Sequence, residues 1–422
     1  MRLPKIITTL RTYDLKQFLA DLSAGVTVAL VALPLSLAIA IASGAEPAQG
    51  IVTAIIGGFL ISALGGSRVQ IGGPTGAFIV VVFGVISQHG YDGLVLATLM
   101  AGVMLVVAGQ LRAGRLIAFV PEAVVNGFTI GIALIIALSQ LKDAFGLTFD
   151  HTPEGALETV SLLAAARDSV NWSALAIAGL AAVLILGFRR LAPKFPGLIL
   201  ALVLASGLVA ALGLGVDTIA SRFGALPAGL PAPHWPEISG ARLLELLPSA
   251  IVIAFLAGVE SLLSAMVADR MIQGHHRPNA ELTAQGVANI GSALFGGLPA
   301  TGAIARTATN IRAGGQTPVA GLVHALVILM VMLIAAPLAG YLAMPALAAL
   351  LLVTAWNMSE PHRWGEYWRA GWADKGLLLV TLVLTVLVDL TVAIAVGVAL
   401  GLALRLIRRR SSGSDWTPPE RD

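Results

Sequence analysis

A proline-containing Thr-Gly-Ala motif occurs twice, as Pro-Thr-Gly-Ala at residues 74–77 and as Pro-Ala-Thr-Gly-Ala at residues 299–303. Each copy opens a hydrophobic run, residues 75–87 in the first case and 301–312 in the second. A helix of that length reaches little more than half of a ~30 Å hydrocarbon core. A helix that begins inside a membrane leaves its first backbone N–H groups free at the positive end of its dipole. The motif therefore predicts two half-helices whose facing starts bind a small anion.

The composition indicates a membrane protein. Of 422 residues, 57% are hydrophobic and 12% are charged, whereas soluble domains carry about 25% charged residues. The net charge of +3 predicts no nucleic-acid partner, and a chain without cysteine has no disulfide or thiol chemistry. No nucleophile–base pair or metal-binding pattern is present in the sequence, which therefore predicts neither an enzyme nor a cofactor.

Hydrophobic segments follow one another along the chain and predict an all-α polytopic protein. Fourteen of them lie at residues 21–43, 48–65, 75–87, 93–111, 118–140, 172–189, 197–214, 248–270, 279–297, 301–312, 317–339, 343–357, 373–390 and 391–407. With that count, most Lys and Arg residues fall on the side of the N-terminus, which the positive-inside rule assigns to the cytoplasm. The sequence thus predicts a multi-pass inner-membrane protein with both termini cytoplasmic.

The two motif copies belong to an internal repeat. Thr301 lies 226 residues after Thr75, and the same offset carries the first segment onto the eighth. Seven segments per repeat is an odd number, so the second half inserts upside down relative to the first. Residues 68–74 would then enter the membrane from the cytoplasm and residues 297–300 from outside. Such non-helical backbone is tolerated at that depth only where it lines protein or a wet cavity.

Longer stretches around these motifs resemble a known family. The first repeat has Asp-Leu-Ser-Ala-Gly-Val-Thr at 21–27, Leu-Pro at 33–34 and Gly-Gly-Pro-Thr at 72–75. The second has Asn-Ile at 289–290, Phe-Gly-Gly at 295–297, Ala-Thr-Gly-Ala-Ile-Ala-Arg-Thr at 300–307 and Asn-Ile-Arg-Ala-Gly-Gly at 310–315. Both resemble the sulfate permease (SulP) family, the bacterial relatives of the SLC26 anion transporters. The resemblance covers roughly residues 10–410.

That resemblance implies a 7+7 inverted repeat, as in UraA-like nucleobase carriers, with the half-helices in segments three and ten. It also implies a homodimer in which a core domain slides like an elevator against a gate domain. The implied domains are a cytoplasmic N-terminus (1–20), a transporter region (21–410) divided into core (21–111 and 248–339) and gate (112–247 and 340–410), and a cytoplasmic tail (411–422). Most members carry a STAS domain after the last span; none follows residue 410 in this sequence, so either this member lacks the domain or the sequence is cut before it.

The substrate site is predicted at the starts of the two half-helices. Its residues are Leu35, Thr75, Gly76, Ala77, Thr301, Gly302, Ala303, Ile304, Ala305 and Arg306. Arg306 either binds substrate, pairs with Glu260 or supplies positive potential near the site, and the last role is favoured because a direct salt bridge would slow substrate release. Many sulfate and chloride carriers of the family have Gln where Leu35 stands, which weakens the transfer of their selectivity.

Glu260 and Ser264 are the predicted coupling-ion residues. Ionisable groups inside membrane spans are rare and usually functional. A carboxylate in an apolar setting favours its protonated form, so Glu260 could carry a proton. The family's sodium-coupled bicarbonate members have Asp, Thr and Thr where this chain has Glu260, Ser264 and Ile304. The missing hydroxyl at Ile304 argues against an intact sodium site.

The sequence therefore predicts a secondary transporter of small anions. The small residues at the site leave room for a dicarboxylate such as fumarate, carried together with protons. Sodium-coupled bicarbonate transport, proton-coupled sulfate transport and an uncoupled channel or exchanger remain open alternatives. The predicted partners are thus a small inorganic or organic anion, protons or Na⁺, membrane lipid and a second copy of the chain.

Overall fold

The computed structural model describes residues 3–114, 121–151, 153, 155–192, 196–388 and 390–411, with side chains only for 391–404 in the last range. Apart from Ser411, the predicted tail lies outside the described residues.

Helices form nearly all of the described structure. The first repeat contains α1 (Lys5–Thr9), α2 (Leu15–Ala42), α3 (Pro47–Val52), α4 (Gly58–Leu64), α5 (Ile79–Gln110), α6 (Glu122–Phe145), α7 (Ala156–Ala165), α8 (Trp172–Leu191), α9 (Gly197–Leu212) and α10 (Ile219–Phe223). The second contains α11 (Gly240–Ile272), α12 (Pro278–Leu294), α13 (Ile304–Arg312), α14 (Val319–Ala339), α15 (Met344–Met358), α16 (Trp364–Arg369), α17 (Trp372–Leu387) and α18 (Leu390–Ser411). Two short strands, β1 (Gly72–Gly73) and β2 (Thr301–Gly302), interrupt the helices.

The predicted all-α architecture is confirmed. Each of the fourteen hydrophobic segments contains a helix, and a backbone break at Gly90 (φ +68°) divides α5 where segments three and four were separated. Among the described residues, seven helical stretches are long and apolar enough to cross a membrane. The count of fourteen crossings therefore stays a prediction.

Two helices begin several residues away from the start of the hydrophobic segment that predicted them. α2 begins at Leu15 rather than 21, because the Asp14 carboxylate accepts the Gln17 N–H at 2.7 Å and completes a capping box. The second half-helix begins at Ile304 rather than 301, because Thr301 and Gly302 are extended in β2.

The helices pack in two groups that follow the predicted core and gate. In the first, α5 packs against α11 and α12, and α14 packs against α2 and α4. In the second, α6 packs against α15 and α17, and α8 packs against α9. The division into core and gate domains remains a prediction, and this grouping is what it would require.

The two strands cross where the half-helices begin. β1 and β2 are antiparallel, with Gly72 opposite Gly302 and Gly73 opposite Thr301. The Ala303 N–H extends the pairing by donating to the Ile71 carbonyl at 2.9 Å. A side chain at position 302 would have to displace the Gln70 side chain, because its Cβ would lie 1.5 Å from Gln70 Nε2. The crossing therefore satisfies the central backbone groups of both strands with each other.

Buried polar side chains bond several backbone groups of residues 66–71, which lead into the first strand. Asn310 donates to the Val69 carbonyl at 2.8 Å, and the Ile71 N–H donates to the Thr307 hydroxyl at 3.1 Å. Glu281, which is fully buried, accepts the Gly66 N–H at 2.8 Å and that of the next residue at 3.2 Å. Unpaired backbone groups in this apolar interior would be strongly destabilising.

The approach to the second strand is satisfied in the same way. The Asn289 side chain accepts the Ala300 N–H at 2.9 Å and donates to the Ala300 carbonyl at 2.8 Å. The Leu298 N–H donates to Thr53 at 2.6 Å, and Ser292 donates to the Leu298 carbonyl at 2.7 Å. These side chains fix the extended backbone that precedes α13.

Replacing Asn289 with Ala is expected to destabilise the protein. The change leaves both backbone groups of Ala300 without a partner in a fully buried position, at a cost of about 1–3 kcal/mol for each group. The matched control is Asn357→Ala on α15, because Asn357 is exposed and donates only to its own helix at Val353. Melting temperatures of the purified variants test this, and equal melting temperatures would contradict it.

Candidate anion-binding site

Both half-helices begin with backbone N–H groups that no described side chain caps. Thr75 precedes a 3-10 turn, Gly76–Phe78, that leads into α5, and Ala303 precedes α13. The Thr75 hydroxyl accepts no N–H of the following turn, and the methyl side chain of Ala303 has no acceptor. Because β1 and β2 are paired immediately before these starts, the two positive helix ends are held side by side. This arrangement favours a bound anion.

The site residues differ in how far they reach open space. Ile304 is 43% exposed and Ala305 is also exposed, whereas Gly76 and Ala77 are buried. Thr301 is fully buried, and its hydroxyl donates to the Ala257 carbonyl at 2.9 Å. The open part of the predicted site is therefore the first turn of α13, and Thr301 serves the strand crossing.

Glu260 lies directly beside the first half-helix. The Thr75 hydroxyl donates to the Glu260 carboxylate at 2.9 Å, and both residues are only partly buried. The structure thus brings the predicted coupling residue to the predicted substrate site.

Arg306 points away from open space and into the strand crossing. It is 2% exposed and donates to the carbonyls of Gly72, at 3.4 Å, and Pro74. No ion pair joins Arg306 to Glu260 in the part of the chain that the structure describes. Its guanidinium therefore places a positive charge behind the helix starts while it holds the backbone of β1.

Ser264 lies one helical turn after Glu260 and has a different partner. It is fully buried, and its hydroxyl is 3.3 Å from that of Thr307. The Thr307 hydroxyl also accepts the Ile71 N–H. The structure therefore joins Ser264 to the backbone of the strand crossing through Thr307.

The gate helices approach the first half-helix at Gly76. A Cβ at this position would lie 2.8 Å from Met358 Sδ on α15 and 3.6 Å from Ile136 Cδ1 on α6. Leu35 is half-buried on α2, a helix that packs against both α13 and α15. An anion at the helix starts would consequently have an apolar gate surface on one side.

Sequence reasoning missed two groups of residues near the site. Glu281 lies within predicted segment nine, so the rule that selected Glu260 also applied to it. The carboxylate of Glu281 accepts the Ser261 hydroxyl at 2.9 Å, and Ser261 in turn accepts from Gln70 at 3.0 Å. The positions of Met358 and Ile136 beside the site could not be predicted, because nothing in the sequence distinguishes an apolar residue that faces a site from its neighbours in an apolar helix.

Comparisons with known proteins agree with the motifs. The profile of the sulfate permease family matches residues 18–382. YvdB of Bacillus subtilis, which carries a sulfate transporter's name, is 44% identical over 375 residues, or 88% of this chain and 70% of that protein. The bicarbonate transporter BicA of Synechocystis is 35% identical over 377 residues, covering 86% of this chain and 65% of that protein. The chain thus spans about two thirds of the length of these curated relatives.

Two solved structures have the same fold. The transmembrane domain of a cyanobacterial BicA superposes with a TM-score of 0.81 at 32% identity, covering 90% of this chain and 98% of that chain. SLC26A9 superposes with a TM-score of 0.87 over 96% of this chain and 68% of that chain, and at 18% identity it shows the fold alone. The fold expected from the motif resemblance is confirmed.

Replacing Ala305 with Phe is expected to abolish anion binding in a folded protein. The exposed first turn of α13 accommodates the larger side chain, which then covers the free N–H groups. Gly302 is less suitable for this test, because a side chain there disturbs Gln70 and the crossing itself. Calorimetric titration with fumarate, sulfate and bicarbonate measures the effect.

The control for this experiment is Ala165→Phe, at an exposed position on α7. Both variants should elute and melt like the parent protein. If an anion that binds the parent still binds Ala305→Phe with unchanged affinity, the site does not lie at the start of α13.

Proposed function

The chain belongs to the sulfate permease family of anion transporters, and on that premise we propose a secondary active carrier that binds a small anion between its two half-helix starts. The observation that supports this most directly is the pair of uncapped helix N-termini held together by β1 and β2. Backbone N–H groups bind an anion without a fixed countercharge, so the anion can also be released. The same comparisons confirm that the chain is a transporter rather than an enzyme.

Glu260 is the proposed proton-coupling group. Glu260 contacts Thr75 at the start of the first half-helix, so its carboxylate would lie close to a bound anion. The two negative charges would repel each other. Protonation of Glu260 removes that repulsion, so proton and anion bind cooperatively, and the coupling is reciprocal. A channel would not need a titratable group beside its anion site.

Arg306 is proposed to act through its potential rather than by direct contact. Although Arg306 belongs to the first turn of α13, its guanidinium is buried against the carbonyls of Gly72 and Pro74. A fixed positive charge behind the site raises anion affinity without forming a salt bridge that would delay release.

A dicarboxylate such as fumarate is the substrate that we propose. The open part of the site is lined by Ile304 and Ala305, and the gate side presents Met358 and Ile136. An apolar wall suits the carbon skeleton of a dicarboxylate, while the helix starts bind its carboxylates.

Bicarbonate and sulfate form the second candidate, because relatives of this chain carry those names. Sodium coupling would use Glu260 and Ser264, but Ser264 is hydrogen-bonded to Thr307 and Ile304 offers no side-chain oxygen. Proton coupling is therefore preferred for either substrate.

We also propose that transport occurs when the core domain, carrying both half-helices, slides against the gate domain. The proposed unit is a homodimer in the inner membrane, with both termini in the cytoplasm. The close approach of Met358 and Ile136 to Gly76 supports a gate surface that the site must pass. Gly76 itself has no side chain, which lets the first half-helix approach these gate residues closely.

Replacing Glu260 with Gln is expected to uncouple transport from protons. Gln keeps the size and the hydrogen bond to Thr75 but carries no charge and no titratable proton. Parent protein in sodium-free proteoliposomes should accumulate labelled fumarate when the proton gradient is inward. The variant should exchange internal for external fumarate yet ignore the gradient.

The matched control is Glu245→Gln, because Glu245 lies on the same helix but is exposed and pairs with His89. This control should remain proton-driven. Uptake by the parent that ignores pH but strictly requires sodium would defeat the proton proposal. Accumulation of sulfate or bicarbonate but not fumarate would defeat the substrate proposal alone.

Joining the first half-helix to the gate is expected to stop transport. The chain has no native cysteine, so Gly76→Cys with Ile136→Cys provides a pair that a short bifunctional thiol reagent can bridge. Each single variant must transport before the reagent is added. Transport by the bridged double variant should fall by at least about tenfold, because the core can no longer slide.

A pair within the core serves as the control for the same reagent. Gly291→Cys with Leu60→Cys joins α12 to α4, where a Cβ at Gly291 would lie 2.6 Å from the Leu60 side chain. This bridge should leave transport intact. Full activity of the completely bridged Gly76–Ile136 variant would exclude the sliding mechanism.

A further inference from the structure

The N-terminal helix presents an apolar face that none of the described residues covers. Ile7 and Leu10 are 44% and 47% exposed, and their spacing places them on one side of the helical turns from Lys5 to Thr12. Leu3, two residues before the first turn, is 52% exposed. A single exposed apolar side chain needs no explanation. Here two such side chains share one helix face and a third lies just before the helix, so together they form an apolar stripe.

The other side of this segment is fastened to the core. The Lys5 N–H donates to the Gly65 carbonyl at 2.8 Å, and the Lys5 ammonium donates to the His275 carbonyl at 2.9 Å. Arg277 donates to the carbonyls of Leu3 and Pro4 at 2.9 Å and 3.2 Å. The segment is therefore held in place with its apolar stripe facing outward.

Three cations from separate parts of the chain meet beside the segment. Lys5, Arg68 and Arg277 are close enough that burial first, and then the charges of Arg277 and Arg68, lower the pKa of Lys5. Within the described residues, none of the three forms a salt bridge with a carboxylate. Asp269 is the one carboxylate whose charge acts on Lys5 among the described residues, so three cations beside one anion leave an excess of positive charge.

The apolar stripe is followed in the chain by a helix that also exposes large apolar side chains. Leu15 and Leu19, on the first turns of α2, are 72% and 56% exposed, and α2 is long and apolar enough to span a bilayer. Residues 3–12 therefore lie at the end of a span, at the level where headgroups meet acyl chains. A helix with an apolar stripe beside excess cations fits an anionic membrane surface.

We propose that residues 3–12 form an interfacial segment that docks onto anionic lipid, with the exposed Arg68 facing the headgroup phosphates and the half-buried Lys5 and Arg277 adding positive charge beside it. Gly65, whose carbonyl accepts the Lys5 N–H, is the first residue after α4 and precedes the extended approach to β1. The lipid contact would thus anchor the end of the core from which β1 enters. Each cation should change the affinity for anionic lipid roughly fivefold.

Hydrogen–deuterium exchange of residues 3–12 tests the proposal with the full chain in lipid nanodiscs. Exchange should be several-fold slower in nanodiscs that contain phosphatidylglycerol than in pure phosphatidylcholine, and added salt should reduce the difference. Arg68→Gln and Ile7→Asp should each weaken the protection. Arg68 is exposed and makes no hydrogen bond in the described structure, so its replacement should leave the fold intact.

Arg167→Gln, at an exposed position in the connection between α7 and α8, is the charge-matched control and should behave like the parent. Equal exchange in the two lipids would overturn the proposal, as would unchanged protection in both test variants. Protection by inorganic phosphate in phosphatidylcholine nanodiscs would identify a soluble-anion site and would also overturn it.

Discussion

The structure depends on satisfying the hydrogen-bonding groups of extended backbone that is buried in the interior. The chain unwinds twice, before each half-helix, and each unwound stretch would expose unpaired N–H and C=O groups to an apolar interior. Pairing of β1 with β2 satisfies the central groups of both stretches at once. Asn289, Thr307 and Asn310 satisfy the flanking groups from neighbouring helices. Neither half of the repeat could form this arrangement alone.

The candidate site follows from the same crossing. Because β1 and β2 are bonded immediately before the half-helices, two positive helix ends are held together and left uncapped. Arg306 adds its charge from behind while bonding β1, and Glu260 reaches the site through Thr75. The residues that stabilise the fold here are thus adjacent to those proposed to bind the anion, and Arg306 is positioned for both roles.

Much of this was predictable from local pattern. The repeated Thr-Gly-Ala motif and the short hydrophobic runs after it predicted two half-helices, and both are present. The intramembrane position of Glu260 predicted a group beside the site. The predictions failed where partners from distant sequence mattered, since Thr301 looked like a helix start but is extended because β1 is its neighbour. Glu281, although visible as an ionisable residue in segment nine, revealed its role only through Gly66.

The sequence by itself determined the membrane class, the inverted repeat, the positions of the helices and the family, because these depend on hydrophobic runs and on motifs that are local in the chain. The tertiary structure decided which groups meet. Arg306 donates to backbone carbonyls at β1 rather than pairing with Glu260. Ser264 is hydrogen-bonded to Thr307, and Met358 and Ile136 lie beside Gly76. The physical reason is that hydrogen bonds and side-chain contacts between residues far apart in sequence depend on distances that only the folded chain defines.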